Sequence, residues 1–404
     1  MKIAMVSEHA NPLARLGTAD AGGQNVHVAA LSEALVRAGH RVCVYTRRDR
    51  EDLPPLVRGP GGYTVRAIEA GPARAIPKDD IYGYLPQFAD ALRADLSNDR
   101  PDVVHAHFWM SGLAAVRACT SLGIPVVQTF HALGSEKRAH QGANDSSPVS
   151  RLDDEAALAR SVDRVIATTS AEIFELCRMG AEPRRLRIVP CGVDLAFFAT
   201  GAPYARPRRE KRRVVTLSRL VPRKGVDDAI AALAELPDTE LLVAGGGDAA
   251  DADGCSETLR LRAHARAYGV AERTFFVGRL EREHVPGFLR SADALVAAAW
   301  YEPFGIVPLE AMACGIPVVA TAVGGQKDTI ADGYTGFHVP AKAPRAIAAA
   351  LRELLDSAPL RARLGSAGER RVRERFAWPR IASETARVYR TIERPRSATV
   401  AHTA

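Results

Sequence analysis

Short apolar runs alternate with longer amphipathic stretches along most of the chain. The runs have the length and composition of buried parallel strands. In the first half the predicted strands are 2–7, 40–46, 64–69, 102–107, 124–130, 164–169 and 186–190. The pattern restarts in the second half, with predicted strands at 213–217, 240–244, 274–277, 294–299 and 317–321. Repeated βαβ units predict an α/β fold with two doubly wound parallel sheets and helices on both faces of each.

The segments between the strands have apolar residues three or four positions apart, as in amphipathic helices. The first helix is predicted from Gly23 to Ala38, and Gly39 ends it as glycines commonly do. The other predicted helices are 226–236, 256–268, 282–291, 344–356, 359–375 and 378–392.

A segment without apolar periodicity separates the two halves. Residues 199–213 are rich in glycine, proline and charge, which is typical of a linker. We therefore predict an N-terminal domain over 1–198 and a C-terminal domain over 214–375. A helix at 376–392 and a flexible tail at 393–404 complete the chain. A long surface loop within one large domain is the alternative interpretation of the linker.

The charge of the chain leaves several classes of partner open. Its 404 residues include 54 Lys+Arg and 47 Asp+Glu, which gives a formal net charge of +7. Such an excess is compatible with binding nucleic acid, a membrane surface or a small anionic substrate. Much of it lies in 206–213 and 387–404, so the remainder of the chain is close to neutral.

Other classes are disfavoured by what the sequence lacks. No stretch approaches the roughly 18 apolar residues that a membrane-spanning helix needs, and residues 1–8 are too short for the core of a signal peptide. The six cysteines are scattered without a CxxC pair, so neither a zinc site nor a disulfide framework is indicated. No nucleic-acid-binding motif is present. The expectation is a cytoplasmic protein with no nucleic-acid partner.

Two regions of the first half carry candidate residues. The loop 17–25 opens a helix, and its paired glycines would let the backbone approach an anion; a tight turn is the simpler alternative. His105, His107 and His131 end predicted strands. His131 is the better candidate because it follows a buried strand, where a polar group is otherwise costly. Metal binding is not expected, because no third ligand has suitable spacing.

Two cations follow the first strand of the second half. Arg219 and Lys224 precede the helix 226–236. Two cations at a helix N-terminus can hold a diphosphate and offset the charge that builds on it as it leaves. A solvated basic loop is the alternative.

Two carboxylates eight positions apart lie across a later strand-to-helix junction. Glu302 follows an apolar strand, and Glu310 falls in the next helix. Between them, Phe304, Gly305 and Ile306 would present backbone N–H groups at the helix start, which suits a phosphate. Carboxylates accept paired sugar hydroxyls. Paired carboxylates also occur in glycoside hydrolases, but a hydrolase rarely combines them with a phosphate-binding helix start and two upstream cations.

Together these residues resemble the retaining glycosyltransferases of family 4, also called group 1. That family has the GT-B fold, in which two Rossmann-like domains face a central cleft. The similarity covers nearly the whole chain and rests on Gly22-Gly23, residues 39–46, Arg219 with Lys224, Gly245–Gly247, Glu302 with Glu310, and the helix Trp378–Tyr389.

The resemblance implies a role for each of these groups. Arg219 and Lys224 would bind the donor diphosphate, Glu310 the nucleotide ribose and Glu302 the transferred sugar. His131 would lie near the donor sugar, so that His131, Arg219, Lys224 and Glu302 form the catalytic set. Further donor contacts would come from Gly23, Gly246, Phe304, Gly305 and Ile306. The final helix would cross back onto the first domain.

The N-terminal half is most similar to the mycothiol-pathway branch, which transfers N-acetylglucosamine to inositol phosphate. This similarity implies an acceptor site formed by Asn25, Lys78, Phe108, Ala132 and Arg151. Phe108 and Ala132 replace a tyrosine and a threonine that bind the acceptor phosphate in that branch. Each change deletes a hydroxyl, and a lost hydrogen bond to a charged group is worth about 1.5–3 kcal/mol. The sequence therefore favours a related small polar acceptor, in secondary metabolism, over phosphorylated inositol.

The resulting hypothesis is a cytoplasmic, metal-independent, retaining glycosyltransferase without a cofactor. It would move a hexose-type sugar from a nucleotide-diphosphate sugar, with UDP favoured over GDP, to a small polar acceptor. A homodimer is compatible with the sequence. Two alternatives are a lipid-acceptor glycosyltransferase at the membrane surface and a non-catalytic two-domain sugar-binding protein.

Overall fold

The computed structural model describes residues 1–14, 23–141, 145–247 and 256–392. The chain divides into two compact units. The first unit comprises Met1–Thr168, Glu172–Val189 and the chain from Pro379 onward. The second unit comprises Thr169–Ala171 and Pro190–Trp378.

The first unit is built on a sheet in the order β3-β4-β2-β1-β5-β6-β7-β8. Its strands are β1 (Lys2–Val6), β2 (Arg41–Arg47), β3 (Leu56–Arg58), β4 (Thr64–Ile68), β5 (Val103–His107), β6 (Val126–Thr129), β7 (Arg164–Ala167) and β8 (Leu186–Ile188). All pairs are parallel except β3 with β4. The predicted strands of this half are present. The edge strand β3 was not predicted, because three largely exposed residues leave no apolar run to detect.

Helices cover this sheet through their apolar faces. They are α1 (Gly23–Arg37), α2 (Leu85–Asn98), α3 (Trp109–Cys119), α4 (Gly134–Gln141), α5 (Arg151–Ser161) and α6 (Ser170–Arg178). On α2, Phe88, Leu92 and Leu96 recur at four-residue spacing and are fully buried. Trp109 opens α3 and is 1% exposed, so the start of that helix is fixed in the core directly after β5.

The second unit has a fully parallel sheet in the order β11-β10-β9-β12-β13-β14. Its strands are β9 (Arg212–Leu217), β10 (Thr239–Ala244), β11 (Thr274–Gly278), β12 (Ala294–Ala297), β13 (Val318–Thr321) and β14 (Gly336–Val339). Its helices are α7 (Leu195–Ala199), α8 (Val226–Leu233), α9 (Ser256–Ala267), α10 (Val285–Arg290), α11 (Ile306–Ala313), α12 (Gln326–Thr329), α13 (Pro344–Asp356) and α14 (Ala358–Arg375). The order reverses between β9 and β12, which is where doubly wound sheets bind ligands. The α/β prediction is confirmed.

The segment between the two halves packs on the second unit. The sequence placed the boundary at residue 198, whereas the contacts divide the chain between Val189 and Pro190. Phe198 of α7 is buried in the core of the second unit, and its carbonyl accepts a hydrogen bond from Arg290 at 2.7 Å. The buried guanidinium of Arg213 bonds to the carbonyl of Arg206 at 3.1 Å.

The last helix, α15 (Trp378–Arg390), leaves the second unit at its first residue. From Pro379 onward the chain belongs to the first unit. The hydroxyl of Tyr389 lies 2.7 Å from Nδ1 of His105 on β5. The predicted tail, 393–404, lies outside the described residues.

Candidate active site

In the second unit, the loop after β9 carries both predicted cations. Arg219 is exposed. Lys224 ends a short 3-10 turn and forms an ion pair with Glu302, which follows β12. The two side chains are 16% and 18% exposed. Two residues 78 positions apart therefore meet at the carboxyl ends of adjacent strands, where ligands bind in this type of sheet.

The carboxylate of Glu302 is held in its ionised form. Burial alone would raise its pKa, but Lys224, Arg223 and the N–H of Gly305 outweigh burial and lower the pKa. The Gly305 N–H donates to Oε1 of Glu302 at 3.3 Å. Sequence reasoning missed Arg223, although it directly precedes Lys224. Its guanidinium donates to the carbonyl of Tyr301 at 3.3 Å.

Backbone contacts between loops fix this arrangement. Gly225 has a φ of +63°, and a Cβ there would lie 2.0 Å from the carbonyl oxygen of Ala298. Gly324, after β13, approaches the backbone of Glu302 as closely, since a Cβ there would lie 2.1 Å from the Glu302 carbonyl oxygen. Only glycine permits both approaches. Gly324 was not predicted, and the signal was a Gly-Gly pair two residues beyond a predicted strand.

Glu310 is placed differently from Glu302. It lies on α11, half-buried, and burial raises its pKa to about 7, with Arg282 opposing the shift. Among the described residues no cation forms an ion pair with it. Its oxygens are therefore available to accept hydrogen bonds from a ligand.

Glycines and backbone N–H groups lie at the same carboxyl-terminal edge of the second unit's sheet as Glu302. Gly305 adopts a left-handed conformation and caps α11, which begins at Ile306. Phe304 is buried just before it. Gly246 follows β10 and lies beside the loop after β9, since a Cβ there would be 3.0 Å from Leu220. The start of α11 offers N–H groups suited to an anion.

In the first unit, three histidines converge at the ends of β5 and β6. Nδ1 of His107 lies 2.9 Å from Nε2 of His131. The ring of His27, from α1, lies 5.0 Å from that of His131. Burial keeps the pKa of His107 and of His131 well below its ordinary value, and lowers that of His27 to about 4. The expectation considered sequence spacing alone; packing brings His27 of α1, which is distant in sequence, beside the histidine pair.

Backbone strain marks the same strand ends. His131 and Phe108 both have positive φ values, +61° and +79°. Such conformations in non-glycine residues persist where surrounding contacts enforce them, and they cluster at functional sites. The buried amide of Gln128, which sequence reasoning missed, donates to the carbonyls of Phe108 and Thr129 at 3.0 and 3.1 Å.

Four of the five predicted acceptor residues lie together. The ammonium of Lys78 and the guanidinium of Arg151 lie 5.1 and 5.2 Å from the centre of the Phe108 ring. Arg151 also donates to the carbonyl of Ala132 at 3.0 Å. The fifth, Asn25, donates its amide to the carbonyl of Asn11 at 2.9 Å.

The guanidinium of Arg151 is largely occupied by contacts within the protein. It is 2% exposed and forms an ion pair with the buried Glu155 at 2.8 Å. Burial raises the pKa of Glu155, although Arg151 opposes this. Gly23 begins α1, whereas the preceding loop, 15–22, lies outside the described residues.

Comparison with known families finds a match in each half of the chain. Residues 21–197 match the family described as Glycosyltransferase Family 4, and residues 205–371 match Glycosyl transferases group 1. The chain belongs to the family 4 (group 1) glycosyltransferases. It is thus an enzyme of the GT-B class, and the hypothesis of a non-catalytic sugar-binding protein is excluded.

Relatives of this glycosyltransferase span nearly its whole length. It is 36% identical to D-inositol 3-phosphate glycosyltransferase of Acidothermus cellulolyticus, over 96% of this chain and 90% of the relative. It is 35% identical to D-inositol 3-phosphate glycosyltransferase 2 of Catenulispora acidiphila, over 97% and 95%. Among solved structures, sucrose-phosphate synthase of Thermosynechococcus elongatus is 32% identical, with a TM-score of 0.85 over 96% of this chain and 98% of that one.

The comparisons give no support to a role in secondary metabolism. Within the described residues, no helix combines the length and the apolar character that crossing a membrane requires.

Proposed function

We propose that this enzyme is a retaining glycosyltransferase that moves a hexose-type sugar from a nucleotide-diphosphate sugar to a small polar acceptor. The observation that carries the proposal is the Lys224–Glu302 ion pair, held beside the glycine-lined start of α11. It places a cation suited to a diphosphate next to a carboxylate suited to sugar hydroxyls. In a hydrolase, the carboxylates themselves would carry the chemistry.

The proposed chemistry is charge stabilisation of a leaving diphosphate. Lys224, Arg219 and the N–H groups at the start of α11 supply positive charge where the diphosphate develops negative charge. This set makes the transfer step metal-independent, since it does what a bound Mg²⁺ does in other enzymes. Glu302 orients the sugar and Glu310 the ribose. Attack from the face that the diphosphate leaves gives retention, as the family resemblance implies.

The acceptor is proposed to be a small polyol or sugar with a polar or anionic substituent. Lys78 and Arg151, both close to the Phe108 ring, favour a negative group. The names of the relatives point to phosphorylated compounds of this kind. The hydroxyl groups deleted at Phe108 and Ala132 oppose D-inositol 3-phosphate itself. We also propose a cytoplasmic location, because none of the five described cysteines forms a disulfide.

The donor is tested by thermal unfolding with UDP, GDP and their sugars. A UDP-sugar should raise the melting temperature more than a GDP-sugar, since a ligand of the folded state stabilises it.

Turnover with the best donor should fall at least about 100-fold in Lys224→Ala, and not in Lys327→Ala, an exposed lysine of the same unit. NMR of the product should show the donor's anomeric configuration. An inverted product, or full activity of Lys224→Ala, would refute the mechanism.

A further inference from the structure

The three histidines of the first unit form an arrangement that glycosyl transfer does not account for. One ring nitrogen from each of His27, His107 and His131 lies within 4.8 Å of the corresponding nitrogens of the other two. They come from three separate elements: α1, the end of β5 and the residues after β6.

The cluster is distinct from the fourth histidine beside it. The ring of His105 lies 4.2 Å from that of His107, but both of its nitrogens are engaged, with Tyr389 at 2.7 Å and Thr129 at 2.9 Å. By contrast, Nε2 of His107 is fully buried and has no hydrogen-bond partner among the described residues. A buried ring nitrogen without a partner is costly, and such a group calls for an explanation.

The burial of the cluster suits a metal ligand set. His27 and His107 are 6% and 0% exposed, and His131 is half-buried. Neutral imidazole is the form that binds a metal, and burial lowers the pKa of all three rings. His105, fixed by two hydrogen bonds, packs behind His107 and limits its movement.

We propose that His27, His107 and His131 bind a divalent transition-metal ion of the zinc class, with a fourth position open to an oxygen ligand. Three imidazoles without a carboxylate favour zinc, cobalt, nickel or copper over magnesium or calcium. Tetrahedral ligands at about 2.0–2.1 Å from zinc lie about 3.4 Å from one another. Small ring movements therefore convert the present cluster into a ligand set.

Metal binding would compete with glycosyl transfer. This consequence rests on the proposed function together with the role that the family resemblance implies for His131, which is to lie near the donor sugar. A metal ion bound to His131 would prevent its contact with the donor sugar. Metal binding would therefore inhibit glycosyl transfer. The binding itself does not depend on the proposed function.

The experiment is a titration of tag-free, full-length protein with Co²⁺. One equivalent should bind with the intense visible bands of tetrahedral cobalt and without a thiolate charge-transfer band, which would reveal binding to cysteines. His27→Phe, which keeps a ring and removes both nitrogens, should weaken binding at least about tenfold. His284→Gln, at an exposed histidine of the second unit, should bind like the wild type. An octahedral spectrum, or unchanged binding by His27→Phe, overturns the proposal.

A second measurement covers the case in which His27→Phe does not fold. X-ray absorption at the zinc edge of the wild-type protein should show three imidazole ligands at about 2.0–2.1 Å; sulfur at about 2.3 Å overturns the site. Zn²⁺ should inhibit transfer reversibly in the wild type, with activity restored by a chelator. Zinc bound by three imidazoles without inhibition would support the metal site and contradict the role proposed for His131.

Discussion

At the scale of single residues, Glu310 links stability to function. Its folded-state pKa is about 7, raised by burial from an ordinary value of 4.5. The unfolded chain releases this proton at a lower pH than the folded protein does. Glu310 therefore lowers the free energy of unfolding as the pH rises from about 4.5 through 7. Glu310→Gln should therefore raise the melting temperature relative to the wild type, more at pH 8 than at pH 5.

Calorimetry at the two pH values measures this difference. Glu353→Gln, an exposed position on α13, is the matched control and should change the melting temperature little at either pH. The same Glu310→Gln variant should bind UDP more weakly, because an ionised carboxylate accepts ribose hydroxyls better than an amide does. An equal gain in melting temperature at pH 5 and pH 8 would contradict the pKa assigned to Glu310.

Phe108 and Ala132 allow a residue-scale test of the acceptor. The proposal holds that the two missing hydroxyls weaken recognition of D-inositol 3-phosphate. Phe108→Tyr combined with Ala132→Thr should raise kcat/KM for that acceptor, by about tenfold or more for each hydrogen bond formed to the phosphate. The donor KM should stay constant, which separates acceptor recognition from general effects. If the double variant handles D-inositol 3-phosphate no better than the wild type, these positions do not determine the acceptor.

At the scale of elements, the loop between β9 and α8 depends on Gly225. Gly225→Ala combines a left-handed φ with a clash against the Ala298 carbonyl. Gly269→Ala is the matched control, with a φ of +68° and nothing within 4 Å of the added Cβ. The free energy of unfolding of the control should fall only by the cost of a left-handed φ in a non-glycine residue, about 1–2 kcal/mol. The free energy of unfolding of Gly225→Ala, measured with denaturant, should fall by more than that of the control. Gly225→Ala should also weaken nucleotide binding, because Lys224 moves with the loop. Equal losses in the two variants would show that the loop tolerates the clash.

The structure also shows which elements the sequence could reveal. Most strands follow from local apolar runs, whereas no ranges were predicted for α2 to α7. Glu302 and Glu310 were found because both lie within one strand-to-helix junction. Strand β14 was missed, since four residues with two half-buried members leave a weak signal. His27 was missed for another reason. Helical spacing shows which face of α1 is buried, but only tertiary packing shows that this face meets His131.

At the scale of the whole molecule, the basic excess has a structural explanation that composition could not give. Four of the six basic residues in 206–213 form ion pairs within the second unit: Arg208 with Asp293, Lys211 with Asp238, Arg212 with Asp356, and Arg213 with Glu240. The Arg213–Glu240 pair is almost fully buried. This segment was predicted to be a linker, yet these ion pairs hold it against the second unit. The net charge of the chain is therefore poor evidence for a nucleic-acid partner.

The return of the chain at α15 makes the stability of the first unit depend on the C-terminal helix. Ile381 is 1% exposed, whereas Ser383, two residues on, is exposed. Ile381→Asp places a charge in the core and should destabilise the first unit by about 3–5 kcal/mol; Ser383→Asp should have little effect. Hydrogen exchange followed by peptide mass spectrometry should then show faster exchange in β5, β6 and β7 of Ile381→Asp, with β9 and β12 unchanged. Faster exchange confined to β9 and β12 would mean that α15 supports the second sheet instead, contrary to its contacts with residues such as His105.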